Sequence, residues 1–141
     1  MSTILVGVDG NEPSIHAATR AADLAKALGA ELVVVCAFSN TEEVRYGDES
    51  HPHKLSASDA ARALATQAVE KISASAPDVT ITPRAEYGKP GAVLVQLADD
   101  LDATLIVVGN KRVQGVARVL GSIATDVARH APCDVYVAHT Y

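Results

Sequence analysis

Short apolar runs alternating with alanine-rich helical segments predict an α/β fold, a single doubly wound open sheet of five parallel strands with four helices. The apolar runs occupy residues 3–9, 31–38, 79–86, 104–109 and 134–139, with a helical stretch in each interval. Three of them, Ile4-Leu5-Val6, Leu32-Val33-Val34-Val35 and Leu105-Ile106-Val107-Val108, are apolar without alternation. Strands that read this way are buried on both faces, as in a parallel sheet covered by helices. The order β-α-β-α-β-α-β-α-β then requires crossover connections, which are right-handed.

Each helix has its own signals. In the first, Ile15, Ala18, Ala22 and Ala25 share one face while His16, Arg20 and Asp23 share the other. Asn11 and Ser14 are its candidate N-caps near Pro13, and Gly29 stands where it would stop. The second, over residues 56–76, repeats the pattern with Ala61, Leu64, Ala68 and Ile72, and Pro77 ends it. The third begins near Pro90, suited to a first helical turn, and buries Leu94, Leu97, Ala98 and Leu101. The fourth opens at Gly121-Ser122 and presents Ile123, Val127 and Ala131 before Pro132. One connection is long and polar, residues 39–55, with Glu42, Glu43, Arg45, Asp48, Glu49, His51 and His53. Loops of that length are functional lids or mobile segments. No repeat and no second domain interrupt the pattern, which predicts one domain over residues 1–141.

Composition excludes several functions. The 141 residues carry 17 aspartates and glutamates against 12 lysines and arginines, a formal charge of −5. A protein that coats nucleic acid needs the opposite balance to displace counterions from phosphates. Without tryptophan, and with one phenylalanine, it also lacks stacking platforms for single strands. The apolar run at 32–38 falls far short of the ~20 residues that cross a bilayer. No basic-then-apolar leader opens the chain. Two cysteines, Cys36 and Cys133, form no CxxC pair. These features predict a cytoplasmic protein without a membrane or nucleic-acid partner.

Ligands of doubly wound sheets sit beyond the carboxyl ends of the strands, where strand order reverses. Val8-Asp9-Gly10-Asn11, Cys36-Ala37-Phe38 and Val108-Gly109-Asn110 reach that edge. The most informative stretch follows the fourth strand, from Gly109 through Lys111, Arg112, Gly115 and Arg118 to Gly121-Ser122-Ile123. Its glycines let the backbone approach a ligand, and its last residues open a helix whose free N–H groups favour an anion. No acidic residue lies between Asp102 and Asp126, so the local charge is reversed within an acidic chain. The alternative is a solvated loop. Asp9 has two readings as well: partner of a ribose hydroxyl or base amine, or cap of the Gly10-Asn11 turn. GxGxxG is missing after the first strand and GxxxxGK[ST] is missing throughout, while a receiver domain would want an acidic pair where Asp9 stands alone.

Other candidates carry less. His51-Pro52-His53 lacks a third ligand at a metal-site spacing, so no metal is expected. His16 is read as a surface residue and Cys36 as a small apolar one. Ser122 lacks a GxSxG elbow, and its simplest role is to cap the fourth helix.

Ile4-Leu5-Val6-Gly7-Val8-Asp9-Gly10, Ala103-Thr104-Leu105-Ile106-Val107-Val108-Gly109, Leu120-Gly121-Ser122 and His130-Ala131-Pro132-Cys133-Asp134-Val135 together resemble a universal stress protein from end to end. The resemblance implies strand order 3-2-1-4-5 and a fold like that of the adenine nucleotide alpha hydrolases. ATP-binding members carry G-x2-G-x9-G-[ST] after strand four. Gly109 takes its first position and Gly121-Ser122 its last two. Arg112 replaces the second glycine, with eight residues rather than nine before Gly121. The resemblance then sets Asp9 against the nucleoside and the Ala37 backbone beside adenine, with Val8 and Gly10 expected at the same site. Gly109, Gly121, Ser122 and Ile123 then surround the phosphates; Val108, Lys111 and Arg112 are expected at the same site, where the Arg112 side chain either narrows the cradle or brings a guanidinium to the phosphates. It implies ATP as ligand, with Mg²⁺ accompanying it, or AMP or cyclic AMP. It also implies a role in stress response by binding rather than turnover, and a homodimer through the C-terminal strand. Two rivals stand beside this reading: a nucleotide-free dimeric interaction module, and a slow ATPase or autophosphorylating protein.

Overall fold

A computed structural model of the chain describes residues 2–39, 44–46, 53–110 and 121–140. Five strands, β1 (Thr3–Gly7), β2 (Glu31–Phe38), β5 (Ile81–Tyr87), β6 (Leu105–Gly109) and β7 (Asp134–Ala138), form one parallel sheet in the order β5-β2-β1-β6-β7. In terms of the five predicted strands this is 3-2-1-4-5. Four helices connect them: α1 (Glu12–Leu28), α2 (Ala57–Ser73), α3 (Pro90–Asp100) and α4 (Ser122–His130).

The uninterrupted apolar runs have the predicted cause. Ile4, Val6, Leu32, Val34 and Val107 pack with α1 and α2 on one face of the sheet. Leu5, Val33, Val35, Ile106 and Val108 pack with α3 and α4 on the other. Helix α1 meets the sheet through Ala17, Ala18, Ala21, Ala22 and Ala25, small side chains that let the two backbones approach. His16 is exposed, as expected.

Four local expectations are corrected. The polar stretch 39–55, expected as a single long connection without strands, contains a small antiparallel pair, β3 (Val44–Tyr46) and β4 (His53–Leu55). Helix α2 stops at Ser73, and its tail continues through tighter turns in which the Ser75 and Ala76 N–H groups donate to the Ile72 and Ser73 carbonyls. At α1, Asn11 holds the N-cap position but its side chain makes no cap bond, and Ser14 lies inside the first turn. In α4, Ile123 is 42% exposed, and Ala124 and Val127 form the buried face. A helix of nine residues is too short for periodicity to fix its phase against a sheet.

Candidate functional site

Chain direction reverses between β1 and β6: α1 carries the chain from β1 toward β2, and α3 brings it back across to β6 on the other side of β1. At the carboxyl end of that junction opens a cavity of about 490 Å³. Its walls are Gly7 of β1 with Val8 and Asp9 just after it, Val35 and Ala37 of β2, and Val108 and Gly109 of β6 with Asn110 just after it. Gly121 and, in α4, Ser122, Ile123 and Ala124 close another side, with Pro90, Val93 and Leu94 of α3 and with Asn11 and the α1 residues Pro13, Ser14 and Ala17. That volume lies within the range of small-molecule sites.

Eight residues expected from sequence thus meet at one cavity: Val8, Asp9, Ala37, Val108, Gly109, Gly121, Ser122 and Ile123. Gly10 does not line it. With φ of +87° and the Leu64 Cδ2 only 2.9 Å from where a Cβ would stand, Gly10 is required by the turn itself. Lys111 and Arg112, with Gly115 and Arg118, lie outside the described residues.

Asp9 has the turn-capping role set out above. Its Oδ1 accepts from the Asn11 N–H at 2.9 Å, and its own N–H donates to Ser14 Oγ at 3.2 Å. The Ser14 hydroxyl in turn donates to the Asn11 carbonyl at 2.8 Å. Asp9 also borders the cavity, so capping has not removed it from the site.

Helix ends separate by position. Helix α2, whose N-terminus lies away from the cavity, is capped by Ser56 Oγ, which accepts from the Asp59 N–H at 3.1 Å. Helices α1, α3 and α4 all open onto the cavity, and none has a side-chain cap bond at its N-cap residue. For α4 the N-cap is Gly121, so Ser122 does not cap the helix as its simplest reading had it. The partial positive charge of these three ends therefore faces one hollow. Cys36 lies just behind the wall, 4% exposed, and burial, then the Asp9 carboxylate, pushes its thiol above the ordinary range. Among the described residues no three His, Cys, Asp or Glu side chains gather where they could hold a metal ion, and no helix is long and apolar enough to cross a membrane.

Sequence reasoning missed the walls contributed by α1 and α3 (Pro13, Ser14, Ala17, Pro90, Val93 and Leu94) and, beyond β7, Thr140. Small and apolar side chains at helix starts are indistinguishable from core in the sequence, so no signal marked them.

The fold and cavity define a doubly wound α/β protein with a cavity at its switch point. The family model described as Universal stress protein family matches residues 1–139, and the chain belongs to that family. A universal stress protein of Mycobacterium tuberculosis is 34% identical over 142 residues, spanning 98% of this chain and 96% of the relative. A universal stress protein solved in complex with cAMP is 30% identical with a TM-score of 0.74, spanning 99% of this chain and 98% of that one. One from Archaeoglobus fulgidus, solved with dAMP, shares the fold at a TM-score of 0.70 and 23% identity over 97% of each chain.

Proposed function

We propose that this protein binds an adenine nucleotide in the switch-point cavity and serves stress response through that binding rather than by turnover. The observation that carries the reading is that the N-terminus of α4, which no N-cap side chain closes, and Asp9 line one cavity. The anionic end of a nucleotide is favoured by free helical N–H groups, and its sugar hydroxyls by a carboxylate. A family relative solved with cAMP supports the choice of an adenine ring. In this reading the base lies along Ala37, Val35, Val93 and Leu94, and the ribose meets Asp9. The phosphates meet Gly109, Gly121, Ser122 and Ile123, and Lys111 and Arg112 add charge. ATP, AMP and cyclic AMP are the candidate ligands.

Asp9 is the one carboxylate among the described residues of the wall, so Mg²⁺ accompanying ATP would be held chiefly by phosphate oxygens. Phosphoryl transfer needs an aligned base and charge clamps on the leaving group, whereas an Asp9 oxygen is engaged in its turn. The proposal extends to one domain over residues 1–141, a homodimer through β7, and residence in the cytoplasm, where free Cys36 and Cys133 suit a reducing environment.

Titration calorimetry of the purified protein with ATP, ATP–Mg²⁺, AMP and cyclic AMP tests the reading. At least one adenylate binds, and Gly121→Val weakens it by at least about tenfold by filling the approach to the α4 amides. No heat from any adenylate, together with no nucleotide in an acid extract of fresh protein, would overturn it.

A further inference from the structure

Two polar residues are buried among the described ones, Thr3 and Thr140, each 7% exposed. Thr3 bonds the Glu31 carboxylate. Thr140 stands instead at the cavity wall, two residues beyond β7, and reaches Asn110, one residue beyond β6.

In a parallel ladder, alternate residues of one strand donate to and accept from the strand beside it. The Asn110 N–H keeps that pattern, donating to the Ala138 carbonyl at 3.0 Å. The next rung would carry the Thr140 N–H to the Asn110 carbonyl. It is exchanged for two side-chain bonds: the Thr140 N–H donates to Asn110 Oδ1 at 2.9 Å, and the Thr140 hydroxyl donates to the Asn110 carbonyl at 2.8 Å. The ladder ends in this reciprocal clamp at the residue before the cationic segment 111–120. A third contact tightens it. A Cβ on Gly109 would lie 3.0 Å from Thr140 Cγ2 and 3.8 Å from Ala17 Cβ. Gly109 is not among the described glycines with positive φ. A side chain there would press on the threonine methyl.

We infer that Thr140 is a positioning residue for the ligand of this cavity. Its amide, hydroxyl and methyl fix Gly109 and Asn110, which are themselves wall residues. The inference rests on the adenine-nucleotide reading.

Calorimetry with the three adenylates, well below the unfolding temperature, compares wild type with Thr140→Val and Thr140→Ser. Valine keeps the volume and removes the hydroxyl, whereas serine keeps the hydroxyl. Thr140→Val weakens binding about tenfold, the scale of one lost hydrogen bond, and Thr140→Ser recovers most of that loss. A clamp serving stability alone would lower the unfolding temperature and leave affinity at the wild-type value. Amide hydrogen exchange on wild-type protein gives a second measurement that needs no variant: saturating nucleotide slows exchange at Asn110 and Thr140. Wild-type affinity in folded Thr140→Val, or no change at either amide, overturns the inference while the nucleotide reading stands. Wild-type protein silent to every adenylate overturns the nucleotide reading itself.

Discussion

The outer strands β5 and β7 meet solvent in opposite ways. In β5 the even-numbered positions bond inward: the Thr80 carbonyl just before it accepts from the Leu32 N–H, and the Gly88 N–H just after it donates to the Phe38 carbonyl. Odd-numbered positions therefore face outward, and Pro83 is one of them. Its missing N–H sits on the free edge and costs the ladder nothing. Arg84 and Glu86 add a charged pair along the same strand. In β7 the bond from the Asn110 N–H to the Ala138 carbonyl turns even-numbered positions inward. Val135 and Val137 thus direct their backbone groups outward, with no proline between them. Tyr136 and Val137 are 37% and 39% exposed. Unprotected edges invite another strand. One edge is closed by its own sequence and the other is open, which supports β7 as the pairing edge of the proposed homodimer.

The largest effect should come from closing the open edge. Val137→Pro removes an outward N–H while sparing the bonds to β6. A two-fold interface feels the change twice, so the dimer dissociation constant rises about a hundredfold on the scale of hydrogen-bond losses. Sedimentation velocity across a concentration series reads this directly. A variant that dimerises as tightly as wild type would move the interface to another surface.

The converse change is milder. Pro83→Val restores the outward N–H on β5 and adds a residue that favours strands. Its folding stability changes by no more than about 1 kcal/mol, and light scattering shows larger assemblies accumulating at high protein concentration. An unaltered size distribution would mean that Arg84 and Glu86 close this edge without help from the proline.

Legibility in the sequence follows the same physics. The sheet could be read because β1, β2 and β6 are covered on both faces, which leaves no polar position in their interiors. Strand ends could be assigned to a site because topology alone brings Asp9, Ala37 and Gly109 to one edge. Thr140 could not be read: it lies past the last apolar run, and its partner Asn110 is 30 residues away. The pair β3 and β4 escaped because charged residues in 39–55 obscure alternation. The space at Gly109 has a second claimant, the Thr140 methyl, that could not be read, because a missing side chain does not say which neighbour needs the space.

The two cysteines extend the contrast between centre and edge, with the smallest expected effect. Cys36 is buried in β2, whereas Cys133 is half-buried just before β7. Burial raises both thiols, with a further push from Asp9 on Cys36 and from Asp134 on Cys133. A raised native pKa means that the folded protein holds the proton longer than the unfolded chain. The resulting stability is complete below about pH 8.5, where the unfolded thiol begins to ionise, and is lost as pH rises through the native value. The urea midpoint therefore falls slightly above about pH 8.5, less so in Cys36→Ala. Because the thiolate is the reacting species, iodoacetamide followed by mass spectrometry should label Cys133 ahead of Cys36 at every pH, both rates climbing with pH. Labelling of Cys36 first would mean that the sheet opens at its centre more readily than at its edge, contrary to the burial of β2 between two helical layers.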